Sequence, residues 1–459
     1  MRTLIANGTV VTAAATVRAD VLIEDETIAA VGERIEAHAD LVLDARGRWL
    51  LPGGVDAHTH LDMPLTDAIS SADDFESGTV AAAMGGTTTI VDYATQARGG
   101  TLAAALEDWQ ERARGRAVVD YGFHMIVCDP SPAVEHELDE LVAAGVTSFK
   151  LFMAYPGRLM LDDGAIFRAL LRARDNGGLV CLHAENGPVI QVLVERALAA
   201  GETAPRHHAR TRPARLEAEA VGRAAALAEV AGAPLFIVHL SSPEALAEIE
   251  RARERGVEVL AETCPQYLLL SEDLYDGPGF AGARYVMSPP LRAAAAREPL
   301  WRALADGAIQ TVATDHCPFR LADKALGADD FSKIPNGAPG IETRLVLLWD
   351  AGVRTGRLSM NRFVEVTSSA PARIFGLYPR KGEIAPGSDA DLVIWDAERT
   401  ATISAATHHS RVDYSAYEGR GVRGGPETVL ARGRVIVDRG RFLGRPGDGR
   451  YLRRAARRR

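Results

Sequence analysis

The sequence predicts an α/β protein, a (β/α)8 TIM barrel carrying a small β-sandwich domain formed by both termini. Three observations lead there. From about residue 53 to 375, short apolar runs alternate with Ala/Arg/Glu-rich stretches of helical character, as parallel strands joined by crossover helices require. Both ends read instead as short strands and turns. Histidine, lysine and aspartate recur at or near the ends of the middle strands, the side of a barrel on which chemistry is built.

Residues 1–52 are the first part of the sandwich. Leu4-Ile5-Ala6, Asn7-Gly8 and Thr9-Val10-Val11 have the pattern of a tight hairpin, and 21–31, around Glu24-Asp25-Glu26, reads as a second. The barrel follows over 53–375. After the run 49–51, its strands are expected at 88–92, 121–127, 148–152, 179–183, 235–239, 257–261 and 311–315, with helices at 102–114, 165–176, 214–231 and 243–255. The sandwich resumes over 376–445, where Asp389 and Asp391 belong to a turn before a strand and not to a metal site. The remaining stretch, 446–459, is a basic tail with six arginines in 450–459, expected to be solvated or docked at an interface.

Composition is that of a soluble globular protein, 47% apolar and 25% charged, without an apolar run that could span a bilayer. No signal peptide is visible, and a cytoplasmic location is expected. Cys128, Cys181, Cys264 and Cys317 lie far apart with no C-x-x-C spacing, as suits reduced, buried thiols. A net charge of −9 argues against nucleic-acid and anionic-membrane partners. Of 52 basic residues only four are lysines, Lys150, Lys324, Lys333 and Lys381. A chain that prefers arginine this strongly has reason to keep a primary amine at some of those places.

His58 and His60, one residue apart at the end of an apolar run, point to the same side of a strand. Such a pair is a metal half-site or two ordinary histidines. Lys150, His183, His239 and Asp315 then fall at or near the ends of later strands. Six residues of metal-ligating or metal-bridging type at one end of one barrel favour the metal centre. Lys150 is the odd member, because an ammonium beside two dications is electrostatically excluded. Its amine can add CO2 to give a carbamate, a carboxylate on a long stem that bridges two metals, which arginine could not do.

Eight segments carry a resemblance: GGVDAHTHLDMP (53–64), TSFKLFMAY (147–155), LHAENG (182–187), FIVHLSS (236–242), ETCPQYL (262–268), MSPPLR (287–292), TDHCPF (314–319) and KIPNGAPGIETR (333–344). Together they resemble the hydantoinase and dihydropyrimidinase family of cyclic amidohydrolases, in appearance its D-hydantoinases, and the match runs to about residue 445. The resemblance implies two zinc ions per subunit and usually a homotetramer, with a dimer as the alternative. His58, His60 and Asp315 would bind the first zinc, His183 and His239 the second, and carbamylated Lys150 (N6-carboxylysine) both.

The expected reaction is attack of a metal-bridging hydroxide on a ring amide, opening 5-substituted hydantoins or dihydropyrimidines to N-carbamoyl amino acids. Asp315 is placed to move the proton, and Tyr155 to aim its phenol at the oxyanion. The resemblance also implies main-chain contacts to the small cyclic ureide at Ser288 and Asn336. Met63, Leu65, Phe152 and Leu159 match lid positions and form an apolar wall, or are core packing.

Thr314, Cys317 and Asn186 are expected to support the ligands, His316 to stand behind Asp315, and Glu185 to orient a neighbour. His124 reads as a satisfied interior histidine, and His207-His208 and His408-His409 as loop or structural pairs. Two other functions remain open: a dihydropyrimidinase proper, acting on dihydrouracil in pyrimidine catabolism, and a non-catalytic scaffold of the same fold.

Overall fold

The computed structural model describes residues 1–66 and 68–457. Its middle is one sheet of eight strands in chain order: Gly54–Thr59, Thr87–Thr95, Asp120–Ile126, Ser148–Phe152, Leu179–His183, Leu235–Ile237, Val259–Thr263 and Thr311–Val312. Every neighbouring pair is parallel, so each connection must cross back, mostly by a helix. The strands are buried on both faces, which is why they read as continuous apolar runs rather than alternating ones.

The ring is nearly closed where the first and last strands approach each other. Thr59, the last residue of the first strand, bridges His316 beyond the last strand, and the His60 amide donates to the His316 carbonyl at 2.9 Å. Nearer the start of the first strand, the fully buried Arg344 donates through Nη1 to the carbonyls of Val55 and Val312, at 2.8 and 2.9 Å. One guanidinium thus staples both sides of the seam, a use of its fixed fork of donors.

The helices begin where short polar side chains cap them. Thr101 accepts from the Ala104 amide before Leu102–Ala113, Asp162 from Ala165 before Asp163–Asn176, and Ser242 from Ala245 before Pro243–Glu254. Each cap contributes about 1 kcal/mol. Ala214–Ala231 stops at Gly232, whose φ of 62° a side chain would resist.

Both termini join one mixed sheet of nine strands with its own core, including Ile5, Val21, Leu50, Leu392 and Leu430. Trp49–Pro52 is the seam, parallel to Arg2–Val11 and antiparallel to Leu392–Thr402. The first expected hairpin is corrected here. Arg2–Val11 is a single strand, and Asn7, at φ 64°, forms a bulge that shifts register between Ile5 and Gly8. The second hairpin is present, with Asp25 at φ 54° in its turn. Asp389 and Asp391 join Asp120 around the buried Lys381 Nζ, at 2.9, 2.8 and 2.7 Å.

The basic tail docks on its own chain rather than standing in solvent. Tyr451 bridges Tyr121, and the amides of Leu452, Ala455 and Arg457 donate to the carbonyls of Tyr121, Gly376 and Gly177. Arg454 is buried and donates to Ser148 Oγ at 2.9 Å. Arg458 and Arg459 lie outside the described residues. All four cysteines are free and buried, and among the described residues no helix is long and apolar enough to cross a membrane.

Candidate active site

His58 lies on the first barrel strand and His60 just beyond it, so their rings share one side. Their Nε2 atoms stand 3.2 and 3.3 Å from Asp315 Oδ1, which follows the eighth strand. The three residues bring ligand atoms within 4.8 Å of one another. Across the barrel mouth, His183 ends the fifth strand, with Nδ1 2.9 Å from Nε2 of His239. The two groups adjoin, since the rings of His58 and His239 are 5.4 Å apart.

Lys150 occupies the middle of the fourth strand and is 1% exposed. Its Nζ stands 5.0 and 5.2 Å from the ring centres of Tyr93 and Phe152. Burial lowers its pKa to about 8, although Asp315 and Glu262 oppose the fall. Burial also takes His60 down to about 4 and lowers His183 and His239, and the Lys150 charge adds to each shift. Neutral imidazole is the form that binds metals.

Two carboxylates decide which ring nitrogens face inward. Glu262 Oε1 accepts from His58 Nδ1 at 2.6 Å, and Glu185 Oε2 accepts from His183 Nε2 at 2.9 Å. Each fixes a tautomer whose other nitrogen carries a lone pair. His58 Nε2 then faces the Asp315 oxygen. Although burial would lower the His58 pKa, Asp315 and Glu262 raise it. The His183 Nδ1 lone pair faces His239 Nε2. Buried His58 Nε2, His60 Nδ1 and His239 Nδ1 have no hydrogen-bond partner. Imidazole nitrogens of His58 and His60 converge on the Asp315 carboxylate, and those of His183 and His239 on each other, a donor set of the kind that holds zinc or similar ions.

The backbone is strained at the same places. Tyr155, His239 and Asp315 have φ of 65°, 39° and 51°, conformations that residues with a Cβ hold only where their surroundings impose them. The Glu262 carboxylate accepts from the His239 amide, and the Tyr155 carbonyl accepts from the amides of Arg158, Leu159 and Met160.

A model described as the amidohydrolase family matches residues 49–436. The chain belongs to that family. This amidohydrolase is 53% identical to D-hydantoinase of Streptomyces coelicolor over 460 residues, covering 99% of this chain and 98% of that protein. It is 48% identical to D-hydantoinase of Geobacillus stearothermophilus, covering 99% and 97%. The crystal structure of dihydropyrimidinase from Brevibacillus agri matches it with a TM-score of 0.98 at 49% identity, over the whole of both chains. The amidohydrolase therefore falls in the hydantoinase/dihydropyrimidinase branch.

Around its histidines the amidohydrolase arranges the other expected residues unequally. The half-buried Tyr155 ring lies 5.4 Å from that of His183, and burial raises its phenol above its ordinary pKa, with Arg212 and Ser288 opposing the rise. Ser288 is buried and Asn336 half-buried, and the segments that carry them meet where the Gly337 amide donates to the Val286 carbonyl at 3.0 Å. Phe152 packs with Tyr93 and Ile126, and Tyr155 and Leu159 pack against them. Leu65 is on a neighbouring hairpin tied to that loop by Arg158, whose Nη2 donates to the Leu65 carbonyl at 3.2 Å. Met63 lies at the base of the same hairpin, its amide donating to Ser71 Oγ.

The supporting residues divide as well. Thr314 Oγ1 donates to Asp56 at 2.7 Å beneath Asp315, and His316 Nε2 to Asp73 at 3.0 Å. The Cys317 amide donates to the Ala338 carbonyl. His124 is satisfied by Ser148 and the Ala57 carbonyl. His208, on the short helix Arg206–Arg210, donates to the Met287 carbonyl. His408 pairs with the Val412 carbonyl and His409 with Glu342. Asn186 instead caps Gly187–Ala199 and donates to Glu219.

Sequence reasoning missed Glu262, Arg212 and Asp73. Glu262 shared the strand-end placement of the ligands, a usable signal. Arg212 pairs with Glu185 at 2.9 Å and lies over the Tyr155 ring at 5.7 Å, but it comes from a loop whose local sequence says nothing of either partner.

Proposed function

We propose that this amidohydrolase opens 5-substituted hydantoins at a ring amide to N-carbamoyl amino acids, using two zinc ions and a carbamylated Lys150 in each chain of a homotetramer. The observation that carries the reading is the two histidine groups flanking Lys150, with tautomers set by Glu262 and Glu185. His58, His60 and Asp315 would hold one ion, His183 and His239 the other, and the carbamate both. Bound there, zinc supplies a water of lowered pKa and a Lewis acid for the carbonyl.

The remaining steps belong to side chains. Asp315 takes the proton of the attacking water, whose oxygen bonds the carbonyl carbon. The ring C–N bond then breaks, and that proton passes to the departing nitrogen. Tyr155, kept protonated by its raised pKa, donates to the oxyanion. Main-chain groups at Ser288 and Asn336 grip the ring's amide edge, and Met63, Leu65, Phe152 and Leu159 meet the 5-substituent.

D-selectivity is supported by the names of the Streptomyces and Geobacillus relatives. Dihydropyrimidines are the second substrate class, supported by the name of the Brevibacillus structure. Metal analysis after loading with zinc and bicarbonate tests the centre. About two zinc ions per chain are expected, and Lys150→Ala should lose metal and about a thousandfold in kcat. A Lys150→Ala protein that keeps both ions and full turnover would refute it.

A further inference from the structure

Lys324 ends the short helix Leu321–Lys324 and is fully buried. No acidic side chain among the described residues pairs with it. Its Nζ donates to two main-chain carbonyls instead, Pro335 at 2.8 Å and Val286 at 3.1 Å. Burial lowers its pKa to about 7. A methionine would fill nearly the same volume without desolvating an amine, so packing does not explain the lysine. The two hydrogen bonds do.

Both carbonyls adjoin the segments assigned to substrate. Pro335 precedes Asn336, and its carbonyl shares a peptide unit with the Asn336 amide. Val286 lies two residues before Ser288 and also accepts from the Gly337 amide at 3.0 Å. His208 holds the next carbonyl, Met287, at 2.8 Å. On its far side Gly337, at φ 139°, presses on the loop after Asp315 so closely that a Cβ would come 2.1 Å from the Cys317 carbonyl. The Asn336 segment is therefore wedged between the Cys317 backbone and the Lys324 amine. An amine bound to a carbonyl also polarises that peptide unit and strengthens its N–H as a donor.

We infer that Lys324 is a positioning residue that sets the spacing between the two main-chain segments gripping the substrate's cyclic amide edge. It acts on recognition of the ring and not on the proton transfers or the metals. This rests on the proposed roles of Ser288 and Asn336.

The test compares wild type, Lys324→Met and Lys324→Gln as full-length, zinc- and bicarbonate-loaded protein, using D-5-phenylhydantoin. Lys324→Met should raise KM about tenfold, with kcat within about twofold and metal content unchanged. Lys324→Gln, which keeps an N–H donor, should recover part of the loss. Amide hydrogen exchange without substrate should quicken at 284–290 and 333–340 in Lys324→Met. Unchanged KM, or a fall in kcat at constant KM, would overturn the inference, since the latter is what mere loss of folded protein gives. If Lys324→Met does not fold, Lys324→Gln carries both readouts. A wild type that opens no ring would overturn the proposed function instead, while unchanged exchange would separately remove the tether.

Discussion

Tyr155 holds a φ of 65°, a conformation that costs a residue with a Cβ about 1–2 kcal/mol, and it stands beside His183. Its phenol shares that neighbourhood with Ser288 and the Arg212 cation. Tyr155→Phe removes only the donor, so kcat should fall about a hundredfold with bound zinc unchanged. Equal kcat in wild type and Tyr155→Phe would end the oxyanion role. At this scale the candidate ligands stood out because histidine and lysine are scarce in this chain and all six candidates fall on or just after barrel strands. Lysine scarcity singled out Lys150, but Lys324 and Lys381 are just as buried. What separates the three is the neighbouring groups: aromatic rings, carbonyls or carboxylates. Those come from distant parts of the chain, and no local pattern records them.

Asp73, just before the helix Phe75–Met84, joins three elements. It accepts from His316 Nε2 at 3.0 Å, Ser77 Oγ at 2.7 Å, the Arg411 amide at 2.8 Å and the Ser410 hydroxyl. The C-terminal segment is thereby latched to the loop that carries Asp315. Burial alone would raise the Asp73 pKa, but His316, Ser410 and the Arg411 amide bring it down from 3.8 to about 2. A depressed carboxylate stabilises the fold fully above its unfolded pKa and loses that contribution as pH falls through the folded value. Asp73→Asn should therefore cost about 2 kcal/mol at pH 7, with the difference from wild type shrinking between about pH 4 and pH 2. Denaturant unfolding across that range reads it, and a difference that stays constant down to pH 2 would contradict the latch. The four helices expected at 102–114, 165–176, 214–231 and 243–255 end within two residues of those limits because Ala-rich periodicity is local. Phe75–Met84, Pro132–Ala143, Gly187–Ala199 and Arg297–Asp306 were not singled out. The Asn7-Gly8 hairpin failed because that dipeptide serves a turn or a bulge equally, both wanting positive φ. The deciding contacts were remote: Asp20 accepts from the Asn7 amide, and a Cβ on Gly8 would meet Leu50 at 2.7 Å.

Across the whole molecule, strand–helix alternation made the barrel readable, and matching β-rich ends announced the shared sheet. The tail was not readable in the same way. Its charge suggested a solvated or interface-docked end, whereas its backbone pairs with the barrel of its own chain and Arg454 finds Ser148 inside it. Arginine count reports neither contact. The proposed ring opening, with choice at the 5-position, is best tested on the loaded enzyme. The measurement is kcat/KM for D-5-phenylhydantoin, its L enantiomer and dihydrouracil, side by side. Preference for the D enantiomer over both others by about tenfold or more is expected. Dihydrouracil in first place would reduce the apolar loops to packing, and no turnover of any of the three with two zinc ions bound would contradict the hydrolase itself.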